Sequence, residues 1–555
     1  MRIDGIEVQV KKGETILKAA KSLDIPIPTL CSLDGSEPFT SCMLCVVEDT
    51  ATGKLLPACS APAIDGMEVQ TDTDSVRAAR QAALELLLAE HVGDCDAPCT
   101  LACPLQIDIP EVIRLLEEGE IPEAVRRIRT ATTLPGLACL LCSAPCEKAC
   151  RRGKYDQSVA IGLLMRHVVE REEREASAVA PVQSSVLPRG MPPVAAQSSP
   201  KSAAVIGAGP AGLSAAYHLA LLGFSCTLFE AQSFPGGSLR APAAGDTAAG
   251  QNRQQLVDRA VAREMQILHD LGVRIELNTP VAAALSLEKI IERNDATIVA
   301  AGPDMRSVLE TASVHIPEGG KATSGASRCQ SSNAKVFAAG SLLKRGCSFV
   351  KALAQGKAAA ACANQYVRGE AVTGARNRFQ SHIGRLHEGE VEEFLKDAAD
   401  IPRIVPKDAE ADPQAGYNRE EAVTEASRCL HCDCAAKDNC RLRVYAEQYE
   451  ARGRRFRIGE RRLFRRILQH PRVVFEPGKC IKCGICVRIT AWEKERLGLA
   501  FLNRGYDLQV GTPFGELLSR ALERSAERCV RACPTGALAF RRRSHEKPKT
   551  RRNET

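Results

Sequence analysis

Twenty of the 24 cysteines in this 555-residue chain fall into five tight groups. They are Cys31, Cys42, Cys45 and Cys59; Cys95, Cys99 and Cys103, preceded by His91; Cys139, Cys142, Cys146 and Cys150; Cys429, Cys432, Cys434 and Cys440; and Cys480, Cys483 and Cys486 with the distant Cys529 and Cys533. Disulfide scaffolds are short secreted chains. This chain is long, and its opening MRIDGIEVQV alternates like a strand and has no apolar signal-peptide core. So many grouped thiols in such a chain read as metal ligation. Cys226, Cys329, Cys347 and Cys362 stand alone and read as ordinary buried small residues.

At ~100–200 residues per domain, the length predicts about three to five domains. Hydrophobic residues make up 45% of the chain, enough for real cores. No run approaches ~18 apolar residues, so no membrane span and a cytoplasmic location are expected. With 4% aromatics and a dispersed net charge of +7, nucleic acid is not an expected partner. The expected boundaries are 1–75, 76–176, an Ala/Ser/Pro/Val-rich linker over 177–202, 203–375, 376–450, 451–540 and a basic tail over 541–555. The Arg-rich run 452–473 could dock an acidic partner, though such a run is more often a solvated helix face.

Residues 2–10 predict a strand and Glu14–Leu23 a helix. The spacing Cys31-x10-Cys42-x2-Cys45-x13-Cys59 follows. One close pair with two outlying thiolates suits a [2Fe–2S] cluster, whereas zinc ribbons favour two close pairs. The segment resembles the N-terminal [2Fe–2S] domain of the complex I large iron–sulfur subunit, of iron-only hydrogenases and of some formate dehydrogenases. Beyond it, CTLACPLQIDIPEVIRLLEEGEIPEAVRRIRT and LPGLACLLCSAPCEKAC resemble the helical domain of the glutamate synthase small subunit and of dihydropyrimidine dehydrogenase. That resemblance implies two [4Fe–4S] clusters. One takes Cys95, Cys99, Cys150 and, as fourth ligand, His91. The other takes Cys103, Cys142 and Cys146. The family places a Gln or Glu as its fourth ligand, but Met165 stands nearest here, and Cys139 is the substitute. His91 has a second reading, as a helix C-terminal histidine satisfied by the helix dipole.

Residues 202–230 run strand, Gly207-x-Gly209-x-x-Gly212, helix, strand and Glu230. Those glycines admit a pyrophosphate at the helix N-terminus, and Glu230 can bind a ribose. The Gly236–Gly237 pair in SFPGGSLR and the segment VFAAGSLLKRGCSFVKALAQGKAAAACA, with Gly340 and Ser341, resemble the FAD motifs of the glutamate synthase small-subunit family. The family has an aspartate where Ser341 stands. Its inserted NAD(P)H domain has no room here: NDATIVAAGPDM and VFAAG are about 30 residues apart, the size of a single βαβ unit with no supporting strands.

The motif Cys429-x2-Cys432-x-Cys434-x5-Cys440 reads as a fourth [4Fe–4S] site or as structural zinc, with His431 pointing away. CIKCGICVRIT, RGYDLQVGTPFG and CVRACPTGAL resemble the ferredoxin module of the complex I large subunit and of iron-only hydrogenases. A two-cluster ferredoxin needs a fourth cysteine where Thr490 stands. Only Cys480, Cys483, Cys486 and Cys533 remain as a complete set, and Cys529 is left over.

The fold expected is multidomain, α/β and α+β: a β-grasp ferredoxin, a helical iron–sulfur domain, a Rossmann-like FAD domain and a C-terminal ferredoxin-like domain. The expected cofactors are FAD, one [2Fe–2S] and three to four [4Fe–4S] clusters. The expected role is an electron-transfer subunit with no catalytic residues of its own. It would exchange electrons with a catalytic subunit of hydrogenase, formate dehydrogenase or NAD(P)H dehydrogenase type, a soluble ferredoxin being a further candidate. A self-contained NAD(P)H-dependent reductase of glutamate-synthase type and an iron–sulfur redox sensor are the alternatives. Anaerobic metal analysis should find about 18 iron atoms per chain, from one two-iron and four four-iron clusters. Near-stoichiometric zinc with little iron would overturn the cluster reading.

Overall fold

The computed structural model describes residues 1–178, 200–240, 248–281, 284–316, 329–374, 378–408, 415–457, 459 and 461–541. The expected linker and basic tail lie almost wholly outside these residues. Two compact units do not follow the linear order: one takes Met1–Ala97, Arg378–Ala399 and Leu430 onward, the other Pro98–Asn377 and Asp400–Cys429. The expected segments 76–176 and 376–450 are therefore each divided between units.

In the first unit, the strand expected over 2–10 is instead a hairpin, β1 (Arg2–Ile3) and β2 (Ile6–Glu7). The cause is the Asp4–Gly5 pair, at φ 50° and 80°, the turn chemistry that two-residue hairpins favour. With β3 (Val46–Asp49), β4 (Leu55–Pro57) and β5 (Glu68–Gln70), they form a mixed sheet in the order β2-β1-β5-β3-β4. Only β1 and β5 pair in parallel. The helix Ile16–Ser22 starts at Thr15, whose side chain accepts the Lys18 N–H. It buries Ile16, Leu17, Ala19 and Ala20 against Ile3, Val47 and Val69.

The helix Asp74–Ala89 explains why the first unit gathers later chain. Thr73 caps it, and it buries Leu84 and Leu88 in one cluster with Leu442, Ala446, Phe475 and Leu538. Two of its charged residues are buried with it, and both find partners. Arg80 donates to Tyr449 Oη at 2.8 Å and to the Val46 carbonyl at 2.9 Å. Glu85 accepts from Arg455 at 2.9 Å. The strands Val473–Phe475 and Leu538–Phe540 pair antiparallel, as do Ala500–Leu502 and Gln509–Gly511.

The second unit has a parallel five-stranded sheet in the order β10-β9-β6-β7-β8. Its strands are β6 (Ser202–Ile206), β7 (Ser225–Phe229), β8 (Arg274–Glu276), β9 (Ala296–Val299) and β10 (Val336–Ala338). Helices Ile109–Glu118 and Ile121–Ala131 bury strongly amphipathic faces in the same core. Between Gly302 and Val336 the described residues contain one helix, Met305–Thr311. No helix among the described residues is long and apolar enough to cross a membrane.

Arg129, on the helix Ile121–Ala131, and Glu264 are almost fully buried and form an ion pair at 3.4 Å. Thr133 Oγ1 also donates to Glu264, and Tyr217 Oη donates to the Arg129 carbonyl. Removing one charge of such a pair strands the other. Arg129→Ala should therefore destabilise this unit by about 3–5 kcal/mol. The double replacement Arg129→Met/Glu264→Leu should recover most of that loss in urea unfolding followed by far-UV circular dichroism.

Candidate iron–sulfur and nucleotide sites

Cys31, Cys42, Cys45 and Cys59 are all buried in the first unit. The β3–β4 register brings Cys45 and Cys59 together, with the Ala58 N–H donating to the Cys45 carbonyl at 3.0 Å. The Cys31 and Cys42 sulfurs lie 3.4 Å apart. Thr40 and Met43 flank Cys42 with φ near 50°, bending the loop tightly around it. Hydrogen bonding from Cys42 lowers the Cys31 thiol to about 5, and hydrogen bonding from Cys45 lowers Cys59 to about 6. The partners Cys42 and Cys45 move upward for the same reason. The thiolate is the form that binds metal.

Cys480, Cys483, Cys486 and Cys533 line one apolar cavity. Phe475, Ile485, Val510 and Leu538 are among its other walls. Lys482 and Gly484 are left-handed, at φ 56° and 69°. The Lys482 N–H points at Cys480 Sγ, 3.4 Å away, as amides in such loops do around an anionic centre. Cys529 does not line the cavity; its thiol donates to the Cys486 carbonyl at 3.8 Å. Thr490, where a two-cluster ferredoxin has its fourth cysteine, is structural. Its hydroxyl donates to the Val487 carbonyl at 2.9 Å and accepts the Leu499 N–H at 3.1 Å.

In the second unit, Cys142 and Cys146 each neighbour both Cys103 and Cys139. Burial, and then Cys142 and Cys146, push the Cys139 thiol up to about 12. Burial, and then Cys103 among others, do the same to Cys146. Cys139 thus sits beside the expected trio, at the end of the helix Pro135–Leu141. Met165 is buried in the hydrophobic core. Cys99, Cys150 and Cys429 pack on that same core.

Cys95 belongs to the first unit and Cys99 and Cys150 to the second, while Cys432, Cys434 and Cys440 belong to the first unit and Cys429 to the second. The Cys434 N–H donates to the Cys95 carbonyl at 3.0 Å, within the first unit. Cys432 packs on a small apolar cluster around Phe394 and Phe464, while Cys429 belongs to the second unit. His431, at φ 43°, turns the chain between Cys429 and Cys432. Among the described residues, no three His, Cys, Asp or Glu side chains are close enough to hold a single ion. Cys329 and Cys362 are buried as expected but are not isolated: their sulfurs are 2.6 Å apart.

Burial, with Lys479 next in effect, drives the His91 imidazole down to about 3. Among the described residues its Nδ1 has no hydrogen-bond partner.

The nucleotide turn is built on contact distances. Gly207 has φ 99°, and a Cβ there would lie 2.9 Å from Ala301 backbone atoms. A Cβ on Gly212 would lie 1.7 Å from the Gly207 carbonyl oxygen, whereas one on Gly209 would meet nothing within 4 Å. The turn is therefore closed on its protein side and open where a phosphate would lie. Glu230 accepts the Ala208 N–H at 2.7 Å and the Gln232 N–H at 3.0 Å, bracing the turn. The Gly236 N–H donates to the Ala208 carbonyl, and Gly237 (φ 51°) lies against Gly209. The Gly340 N–H donates to Gln355 Oε1 at 2.9 Å, and Ser341 is partly exposed beside it.

Three family models match the chain. They are a 2Fe-2S iron-sulfur cluster binding domain over residues 1–74, dihydropyrimidine dehydrogenase domain II (4Fe-4S cluster) over 70–177, and an NAD(P)-binding Rossmann-like domain over 205–275. The chain is thus built of iron–sulfur domains and a Rossmann-like domain. It is 36% identical over 215 residues to the NADP(+)-dependent formate dehydrogenase subunit beta of Moorella thermoacetica, covering 37% of this chain and 29% of that protein. It is 31% identical over 230 residues to the NAD-dependent dihydropyrimidine dehydrogenase subunit PreT of Salmonella typhimurium, covering 40% and 51%. It is 46% identical over 98 residues to the NADP-reducing hydrogenase subunit HndD of Solidesulfovibrio fructosivorans, covering 17% of each. The match therefore spans about half or less of each relative.

Cys533→Ala should abolish the electron paramagnetic resonance signal of the C-terminal cluster in reduced protein, whereas Cys529→Ala should leave it intact. Equal loss in both variants would refute the four-cysteine set.

Proposed function

We propose that this chain is an iron–sulfur flavoprotein that serves as the electron-transfer subunit of a multi-subunit oxidoreductase. The observation that carries this reading is the apolar cavity lined by Cys480, Cys483, Cys486 and Cys533. Four thiols converging on one apolar hole match the donor set of a [4Fe–4S] cluster. The buried Cys31, Cys42, Cys45 and Cys59 suit a [2Fe–2S] cluster, and Cys103, Cys139, Cys142 and Cys146 a further [4Fe–4S] cluster. The glycine turn suits the pyrophosphate of FAD: Gly209 leaves the approach open, Glu230 holds the turn's amides in place, and Gly237 closes over Gly209.

FAD, when bound, exchanges electrons in pairs or singly, whereas iron–sulfur clusters carry one at a time. The protein's part is to hold thiolates at fixed positions, exclude water from them and aim backbone N–H groups at the sulfurs. Partner catalysis draws support from the relatives, which are named as subunits of formate dehydrogenase, hydrogenase and dihydropyrimidine dehydrogenase. Anaerobic co-purification with mass-spectrometric identification should recover a catalytic oxidoreductase subunit. Recovery of a solitary or DNA-bound protein would instead favour a sensor.

The interval from Gly302 to Val336 is where the glutamate synthase family inserts its nicotinamide domain. Hydride transfer needs the nicotinamide held against the flavin, and without a binding domain that proximity is left to diffusion. The purified subunit should therefore bind FAD yet show no rapid, saturable bleaching with NADH or NADPH in anaerobic stopped-flow. A low-potential chemical reductant should bleach both flavin and clusters. Fast saturable bleaching by either nucleotide without a partner would establish a self-contained reductase.

A further inference from the structure

We infer that Cys95, Cys434 and Cys440 hold an iron–sulfur centre of their own, in the same compact unit as the four-cysteine cavity and next in line to it. The inference rests on the iron–sulfur reading above and changes which thiols share a centre. Cys95 leaves the expected set with Cys99 and Cys150, and Cys429 leaves the set with Cys434 and Cys440.

Backbone contacts fix the three cysteines relative to one another. The Cys434 N–H donates to the Cys95 carbonyl at 3.0 Å, clamping the two segments together. The Ser381 N–H points at Cys95 Sγ from 3.4 Å, so an amide dipole already faces that sulfur. Cys440 closes the group through the segment after Cys533. Its thiol lies 3.8 Å from the Pro534 carbonyl, which also accepts the Leu442 N–H at 3.2 Å. Gly536 clears space on the same segment: a Cβ there would lie 2.2 Å from Cys434 Sγ. Any side chain beyond glycine at this position would collide with that sulfur.

Charge points the same way. Three buried thiolates are costly unless positive charge is near. Arg443, almost fully buried, pairs with Asp96 at 2.7 Å and neighbours both Cys95 and Cys440. Lys479, equally buried, neighbours Cys434 and pairs with Glu476. No comparable pair of buried cations is needed by an ordinary apolar cysteine.

The position suggests a role in the relay. Pro534 is bonded to Cys533, which lines the four-cysteine cavity. The path from Cys440 to that cavity therefore crosses one weak hydrogen bond and one residue of backbone. Three thiolates fall one short of the four that a cubane takes.

The test uses the full-length chain, reconstituted anaerobically and reduced, with iron content and electron paramagnetic resonance as readouts. Cys95→Ser, Cys434→Ser and Cys440→Ser should each lose the same signal and the same three to four irons, from cluster stoichiometry. That signal should persist in Cys99→Ser and in Cys480→Ser. Retention of the [2Fe–2S] signal reports that each variant has folded. Loss of one common signal in Cys95→Ser and Cys99→Ser, with Cys434→Ser losing another, would overturn the grouping, as would full iron content in all three variants. If a serine variant does not accumulate, Gly536→Ala carries the test, since it keeps every thiol but drives a methyl onto Cys434 Sγ. It should shift a signal that Cys99→Ser retains, and an unchanged spectrum overturns the proposal. Zinc or no metal in the unsubstituted chain would instead refute the broader iron–sulfur reading.

Discussion

A thiolate buried in apolar surroundings needs positive charge or N–H dipoles directed at it, and the architecture of this chain answers that need repeatedly. The Lys482 N–H faces Cys480 and the Ser381 N–H faces Cys95. Arg443 and Lys479 are buried near Cys95, Cys440 and Cys434, yet each keeps its own carboxylate partner. Around Cys139 and Cys146, burial and then the neighbouring thiols drive the thiols upward. Such a site takes its ligands as thiolates only together with the metal.

The nucleotide turn obeys a constraint of the opposite kind, in which contact distance matters more than charge. Gly207, Gly212 and Gly356 each sit where a methyl group would strike backbone atoms of a neighbouring element. At Gly356 the obstruction is the Ala211 carbonyl, 2.1 Å from an added Cβ. The helix Phe349–Val367 therefore lies directly on the helix Pro210–Leu221, and the two hold the turn from its protein side. Glu230, expected at a ribose, is occupied with the turn's own amides. It supports the turn whether or not a nucleotide hydroxyl reaches it.

Sequence spacing was most legible where short local motifs fix the backbone. The pattern around Cys480 and Cys533 is such a case, because two local motifs fix the loop and its return. So is the glycine turn, where strand, glycines and helix are contiguous. Spacing could not reveal that Cys95 lies against Cys434, since nothing local ties those segments together. The signal available was weaker: Arg443 and Lys479 lie close to cysteines in the sequence, and buried cations beside thiols suggest a shared centre. Two local features were legible and went unread. Asp4–Gly5 is hairpin chemistry inside an alternating run. Thr490 is a hydroxyl able to replace a ligand with two hydrogen bonds, which explains how the module keeps its shape without the missing cysteine.

The interleaving of the two units also bears on how the protein is made. The first 70 residues have a small core of their own around Ile3, Ile16 and Val47 and can close early. The helix Asp74–Ala89 cannot, because Leu84 and Leu88 pack with residues from Leu442 onward. At about 5–20 residues per second, translation delivers those partners only tens of seconds later. During that interval the helix and the thiols just beyond it have no finished core to enter. If Cys95 shares a centre with Cys434 and Cys440 as inferred, delivery of iron and sulfide to it follows synthesis of nearly the whole chain, and an oxidant that reaches the nascent thiols first would block it.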